Sequence, residues 1–465
     1  MKVVIVGAGI SGLATAKAIR LRDPDAEIVM LEAGERPGGK VWTEMSPEGY
    51  LCEWGVNGFL DKSEQTRQLC EAAGVKPLPS DDSAKRRYVY SEGRLHKLPE
   101  KPPEFLASKL LSTRGKLRVL AEIFAGGSDV DDETLAAFGT RRLGREAFEK
   151  LIDPMASGVF AGDAATMSLK SCFPRIREIE EQYGSLIRGL IRLQFAARRA
   201  GSKNTPGPGP GGTLTSFADG MSVLTDALVN QLGPRVRLNS AVSGISREGP
   251  RYTVYLEDGR QEEADALVVA APAWAQTQML ADLSPALAGR IAEIPYPPVT
   301  VVCLGYNEER IGGAPDGFGF LVPSRERRAI LGTVVDSNVF PGRAPDGFAL
   351  LRTLVGGART PKFAELPKEQ LLDRVLQDLG DILDLRVEPD FVGVFRHERA
   401  IPQYRVGHAR RLRDIEEKLT KFPGLVLSGN AYRGVSLNDC VANAFATAHT
   451  MIPKSRSVPQ GGGMR

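Results

Sequence analysis

The first forty residues constrain this chain more than any other stretch. Val3-Val4-Ile5-Val6 is a short β-branched run, which favours a strand. It leads into Gly7-Ala8-Gly9-Ile10-Ser11-Gly12 and then Leu13-Ala14-Thr15-Ala16-Lys17-Ala18-Ile19, which reads as a helix. Val29-Met30-Leu31 is a second strand, ending at Glu32. Strand, glycine turn, helix, strand and acid in that order make a dinucleotide cradle. Gly7 permits the tight turn, Gly9 lets the backbone approach a pyrophosphate, and Gly12 lets the helix pack close to the strand. The helix N-terminus offers free N–H groups and a positive dipole end to the phosphates. Glu32 lies about 20 residues beyond the turn, where a carboxylate accepts from ribose hydroxyls.

The residues after Glu32 narrow the dinucleotide. Ala33-Gly34-Glu35-Arg36-Pro37-Gly38-Gly39-Lys40 places a second glycine pair just past the ribose acid. This resembles the extended FAD fingerprint of the large flavoprotein oxidase superfamily, in which the Arg and Gly-Gly segment returns to the diphosphate. A glutamate at position 32 also repels the 2′-phosphate of NADP. At the far end of the chain, Leu425-Val426-Leu427-Ser428-Gly429-Asn430 reads as a strand running into a glycine turn. Gly434-Val435-Ser436-Leu437-Asn438-Asp439-Cys440 then opens a helix from Val441 to Thr450. A second helix N-terminus beside a glycine turn is a second anion or carbonyl-oxygen site. In flavoproteins this element sits at the flavin ring and ribityl chain, so both chain ends belong to one interwoven unit.

A chain of 465 residues can form two or three lobes with a sizeable core. A net charge of +3 is too small to argue for nucleic acid. Cys52, Cys70, Cys172, Cys303 and Cys440 show no CxxC, which fits reduced thiols and a cytoplasmic setting. His96, His397, His408 and His449 have no metal spacing. No apolar run reaches about 18 residues, so no helical span is expected. The fingerprint inside the N-terminal apolar run argues against a signal peptide.

A second α/β block starts near Gly212, with a helix at Ser222 to Leu232 and strands at Val236 to Val242, Tyr252 to Leu256 and Ala266 to Ala271. Asp258-Gly259 marks a hairpin turn. From Val299 to about Arg396 come β runs at 299–305, 319–322, 329–335 and 349–356, with a helix from Pro367 to Leu383. Residues 97–212 differ. Leu106, Leu110, Leu117, Leu120 and Phe124 fall on one helical face, with Lys109, Arg114, Lys116 and Arg118 around it. Leu186, Ile187, Leu190 and Ile191 form another stripe flanked by Arg188, Arg192, Arg198 and Arg199. Such helices lie on an anionic membrane surface or present an ordinary solvated basic face. Thr205 to Gly212 reads as an extended connector, and Pro453 to Arg465 as a disordered tail.

Four blocks are more specific than the dinucleotide motif. Ala84-Lys85-Arg86-Arg87-Tyr88-Val89-Tyr90, Ser157 to Asp163, Gly317 to Pro323 and Gly434 to Cys440 resemble the oxygen-dependent protoporphyrinogen IX oxidases, bacterial members above all, over nearly the whole chain. The resemblance implies an α/β fold (α+β overall) with three parts. A Rossmann-like FAD-binding domain comprises 1–80, 212–290 and 420–452; a mixed-sheet substrate domain comprises 81–96 and 291–419; and a helical, membrane-contacting domain comprises 97–211. It implies oxidation of protoporphyrinogen IX to protoporphyrin IX in haem biosynthesis, by hydride transfer to flavin N5, with O₂ reduced to hydrogen peroxide. It implies a location in the cytoplasm or peripherally on the inner face of the cell membrane. A homodimer fits the family, though no motif here specifies one.

Position by position, Gly7, Ala8, Gly9, Ile10, Ser11, Gly12, Glu32, Gly39, Lys40, Gly55, Val56, Asn57, Gly58, Val242, Asn430, Val435, Ser436 and Leu437 match the family's FAD contacts. Val242 would act through its backbone. Arg87 matches the arginine that pairs with a propionate; Phe318, Leu321, Val334 and Leu354 match apolar pocket walls; Gly158 matches a glycine against the macrocycle, with Met155 one helical turn before it. A guanidinium suits a carboxylate because it is bidentate and charged at any working pH. No side chain stands out as a catalytic acid or base, so the cofactor carries the chemistry and the protein supplies position and dryness. Val56 and Gly58 stand where many members have Pro and Ser, which predicts a looser flavin-side loop. Ser436 replaces a common Gly or Ala. Flavin amine oxidase, phytoene desaturase-like and non-catalytic porphyrin-carrier readings are weaker. Coproporphyrinogen III remains open as the substrate.

Overall fold

A computed structural model describes residues 1–199 and 211–452. Most of the expected connector and all of the expected disordered tail lie outside the described residues. The first strand, Lys2–Val6, sits in the middle of a five-stranded parallel sheet. Glu27–Leu31 and Val236–Arg237 lie on one side of it; Ala266–Val269 and Leu425–Leu427 lie on the other. The Ile10–Arg22 helix packs on this sheet and against the C-terminal Leu437–Met451 helix. Residues Ser11 to Ala16 are all buried, and no apolar stripe is evident, as befits a helix covered on all sides. Full burial of Leu13 and Ile19 there contributes about 1.5–3 kcal/mol each.

A second, seven-stranded mixed sheet runs in the order Phe391–His397, Val299–Asn307, Phe348–Gly356, Ile330–Val335, Gly319–Leu321, Arg87–Ser91, Arg94–Lys97. One face packs Val302, Leu304, Leu351 and Val355 against Leu371, Val375 and Leu379 of the Lys368–Leu383 helix. The other face turns toward the first unit: Tyr50, Cys52 and Trp54 pack on Val301, Cys303 and Leu350.

The helical region between residues 102 and 199 closes around Leu135, Phe138, Ala156, Phe160, Met167 and Leu169. Buried charges pin it. Arg142 meets Glu180 at 2.6 Å and Glu122 at 3.3 Å, and Glu122 also accepts from the N–H groups of Leu186 and Ile187. A carboxylate at that helix start is favoured by the free N–H groups and the dipole.

Two expectations need correction. The stripe from Leu106 to Phe124 is not one helical face. It divides into Pro102–Ala107, Thr113–Leu120 and a 3₁₀ turn at Ala121–Phe124, with Leu110 buried between them. Ser112 caps a new helix by accepting from the N–H of Gly115 at 3.0 Å, which ends any continuity. The strand expected over Val236 to Val242 is also broken. Asn239 adopts a left-handed conformation (φ 49°), and Ser240 donates its N–H to the Glu32 carbonyl instead of a strand partner.

Candidate functional site

The glycine cradle is built by close approach. A methyl group on Gly12 would lie 2.0 Å from the Gly7 carbonyl oxygen, so only glycine allows this helix to sit on its strand. Gly7 has φ 100° and closes the turn through its N–H to the Leu31 carbonyl at 2.7 Å. The nearest atom to a methyl on Gly9 would be the Cα of Gly39 at 3.9 Å, which brings the two glycine segments together. The Gly38 N–H donates to the Ala8 carbonyl at 2.8 Å. The Ile10–Arg22 helix carries no side-chain cap at Gly9, leaving its start to a ligand.

Glu32 is fixed by two N–H donors, Ala8 at 2.7 Å and Gly34 at 3.0 Å. A carboxylate has about four lone-pair positions, so two remain for ribose hydroxyls. Asn239 and Ser240 hydrogen-bond to the Gly34 and Glu32 carbonyls, which sets the approach to Val242 beside this acid. These features fit a dinucleotide such as FAD: a cradle closed to a Cβ at Gly7 and Gly12 and open above Gly9, an uncapped helix start and a held ribose acid.

Two cations near the cradle serve other purposes. Arg36 donates to the Pro37 and Gly39 carbonyls and rests 4.4 Å over Trp42, bracing its own loop. Lys40 donates to the carbonyls of Arg399 and Ala400, and burial pushes its ammonium down to about 8.

The loop Gly55–Gly58 is tied down rather than loose. A Cβ on Gly55 would sit 2.0 Å from the Lys40 carbonyl, and one on Gly58 would sit 2.7 Å from that of Thr215. Val56 packs against the core of the first unit, and Asn57 donates to Asp336 at 3.2 Å. Tight backbone packing and this bond replace the stiffness that proline would supply. At the C-terminal turn, Val435 packs into the helical unit and Leu437 is buried in the first. Ser436 caps the last helix in a capping box with Asp439, which explains its hydroxyl.

Four of the residues matched to the substrate pocket share one sheet face. Arg87 aligns with Gly319, Gly319 with Val334, and Val334 with Arg352; the next row holds Val89, Leu321, Gly332 and Leu354. With the two-residue period of strands, Arg87, Leu321, Val334 and Leu354 all project from the same face of the sheet. In Ile330–Val335 only Val334 is not fully buried, and in Gly319–Leu321 only Leu321. Leu354 breaks the run of buried residues in the same way. Apolar side chains left partly open in the middle of a sheet mark a slot rather than a filled core.

The Asp153–Phe160 helix borders this slot. Asp153 accepts from the Ser324 N–H at 2.7 Å and from Arg359 at 3.1 Å, holding the helix to the sheet. A methyl on Gly158 would lie 2.5 Å from Leu321. Met155, Gly158 and Val159 are exposed on one side of the helix. Val159 was missed by sequence reasoning, although its spacing from Met155 was a usable signal.

At the sheet edge, Lys85 pairs with Asp82 and Arg86 with Asp316. Arg87 has no carboxylate partner among the described residues and lies 5.1 Å from the Phe318 ring centre. Also missed was a buried charge cluster behind the slot: Asp336 pairs with Arg352 at 2.9 Å, near Arg343 and Glu53. Single buried charges scattered over distant segments carry no sequence motif.

Cradle and slot together define a flavoprotein oxidoreductase, and this chain belongs to the flavin containing amine oxidoreductase family, whose model matches residues 10–452. Within that family it is similar to the chloroplastic protoporphyrinogen oxidase of Oryza sativa subsp. japonica, with 34% identity over 96% of this chain and 87% of the relative. It is also similar to the coproporphyrinogen III oxidase of Bacillus subtilis (strain 168), with 31% identity over 94% and 95%. A crystal structure from Exiguobacterium sp. 255-15, provisionally described as a protoporphyrinogen oxidase, superposes with a TM-score of 0.82 at 29% identity, covering 98% of this chain and 99% of that one. Cyclohexylamine oxidase from Brevibacterium oxydans IH-35A shares the fold at 18% identity, with a TM-score of 0.69 over 97% and 98%.

Proposed function

We propose that this chain oxidises protoporphyrinogen IX to protoporphyrin IX with FAD as cofactor and O₂ as the final electron acceptor. The observation that carries the substrate class is the partly open apolar face of Leu321, Val334 and Leu354 with Arg87, which has no carboxylate partner among the described residues, at its edge. A macrocycle that is apolar across its width and carries propionates on one side needs both. FAD, when bound, supplies the hydride acceptor and returns electrons to O₂ as hydrogen peroxide. The protein's own part is to grip and orient. Gly7 to Gly12 and Glu32 hold the dinucleotide, the 55–58 loop and the 430–437 turn flank its ring end, and the slot keeps the reacting carbon dry and in place.

The coproporphyrinogen III reading is supported by relatives of that name, among them the Bacillus subtilis protein aligned over 95% of its length. In the helical region, Leu106, Leu117, Leu120, Phe124, Ile191 and Phe195 are exposed among lysines and arginines. Among the described residues no helix is long and apolar enough to cross a membrane. Peripheral contact with an anionic surface through this face is therefore part of the proposal. Association of two copies is a further part, read by light scattering. The function is tested by mixing FAD-loaded protein with protoporphyrinogen IX without oxygen. Rapid loss of the yellow flavin absorbance, with porphyrin fluorescence appearing once air is admitted to complete the remaining two-electron steps, supports it; an unchanged flavin spectrum rejects it.

A further inference from the structure

The segment Gln403–His408 runs between the helical unit and the C-terminal turn, bonded to both. On the helical side, the Tyr404 carbonyl accepts from the Ser168 N–H at 2.9 Å, and the Gly407 N–H donates to Asp132 at 2.7 Å. Gln403 donates to the Phe160 carbonyl at 2.9 Å. On the turn side, the Tyr404 hydroxyl donates to the Asn430 carbonyl at 2.6 Å. The His408 Nε2 lies 3.0 Å from the Tyr432 carbonyl. The two rings stack at 4.1 Å with only 11° between their planes, and both residues are 1% exposed. A carbonyl can only accept, so Nε2 carries the proton and the neutral imidazole is the donor. Burial favours that neutral form by pushing His408 down to about 4.

A trans peptide is planar, and its N–H points opposite its C=O. Fixing the carbonyls of Asn430 and Tyr432 on the Tyr404–His408 pair therefore turns the N–H groups of Ala431 and Arg433 the other way. Among the described residues, neither makes a hydrogen bond of good distance and angle. An unpaired pair of backbone donors, held from behind, is a receptor for hydrogen-bond acceptors.

We propose that Tyr404 and His408 are positioning residues for the cofactor, aiming the Ala431 and Arg433 N–H groups at acceptor atoms of the bound FAD. This rests on the reading of Asn430 to Leu437 as a flavin contact. It also makes the helical unit, through Ser168, Asp132 and Phe160, the anchor of the flavin-side turn. The role assigned to the pair runs through the peptide groups that it orients.

The test compares the parent with Tyr404→Phe, His408→Leu and His408→Gln. FAD affinity is read by flavin fluorescence, the flavin reduction potential by dye equilibration, and amide hydrogen exchange across 429–436 with and without FAD. Tyr404→Phe and His408→Leu are expected to weaken FAD binding roughly tenfold, about what loss of one good hydrogen bond gives, and to shift the potential and absorption band. His408→Gln keeps a donor near Nε2 and should recover most of the loss, which a merely space-filling role would not predict. Should Tyr404→Phe fail to fold, the His408 pair decides the matter alone. Parent-like affinity and potential in the variants, with FAD still protecting 429–436 from exchange, overturns the brace and leaves the turn's role standing. No protection by FAD overturns both.

Discussion

The guanidinium of Arg87 lies 5.1 Å from the centre of the Phe318 ring, at the edge of the slot, while its neighbours Lys85 and Arg86 are each neutralised by an aspartate. A ring face beside a free cation holds the guanidinium without removing its charge. Replacing Arg87 with alanine should raise KM for porphyrinogen roughly 10- to 100-fold, the worth of a charged hydrogen bond, with little change in kcat. Arg87→Lys should fall between, because it keeps the charge but not the planar fork. Steady-state kinetics on both variants checks this; normal KM with abolished turnover would place Arg87 elsewhere.

Gly158 meets the flexible end of Leu321 rather than backbone, 2.5 Å from where a methyl would stand. Gly158→Ala should therefore displace Leu321 into the slot instead of unfolding the chain. We expect kcat/KM to fall about tenfold or more, as for one misplaced methylene in an apolar pocket, with FAD content and Tm close to the parent. Equal losses of Tm and FAD content would show that the contact is core packing.

Burial pushes the Glu53 carboxyl up to about 7, against the opposing pull of the Met221 N–H, the Thr43 hydroxyl and Arg343. The unfolded chain releases this proton near pH 4.3, about the ordinary glutamate value. Between those values the folded state holds more protons, so stability falls as pH rises from about 4.3 to 7 and is flat above. The change is on the order of 3 kcal/mol. Glu53→Gln retains an acceptor for Met221 and should flatten the decline of Tm with pH across that window. Parallel Tm–pH curves for parent and variant would contradict the buried, protonated state.

Leu117 and Phe124 are 62% and 79% exposed, so changing them should leave the fold intact. If this face meets a membrane, Leu117→Glu with Phe124→Glu should cut binding to phosphatidylglycerol vesicles at least tenfold, since burying each side chain contributes about 1.5–3 kcal/mol. Equal sedimentation of parent and double variant with vesicles would make it an ordinary solvated surface.

Much of the fold was legible because its signals are local. Gly7, Gly9 and Gly12 between β-branched runs give the cradle directly, and the limits of the Ser222–Leu232 helix and of the Ile330–Val335 and Phe348–Gly356 strands lie within a residue or so of those read from pattern. The breaks were less legible. Ser112 and Asn239 stop elements through a cap and a left-handed turn, each decided by a single hydrogen bond to a distant or neighbouring group. Arg87, Leu321, Val334 and Leu354 could be named from block similarity, but their common face follows only from the pairing of Arg87–Ser91 with Gly319–Leu321, more than 200 residues apart. The Asp336–Arg352 pair and the contacts of Tyr404 and His408 with the 430–432 turn span only 16 and 24–26 residues, but no local pattern marks them, because it is the surrounding packing that buries and aligns these groups.

The most direct test is aerobic turnover of FAD-loaded protein with protoporphyrinogen IX and coproporphyrinogen III in parallel, following porphyrin fluorescence and peroxide together. The account predicts faster appearance of protoporphyrin, with peroxide released alongside it. Preference for coproporphyrinogen III would keep the cofactor and chemistry but reassign the substrate. No porphyrin from either, with a normal flavin spectrum, would contradict the account.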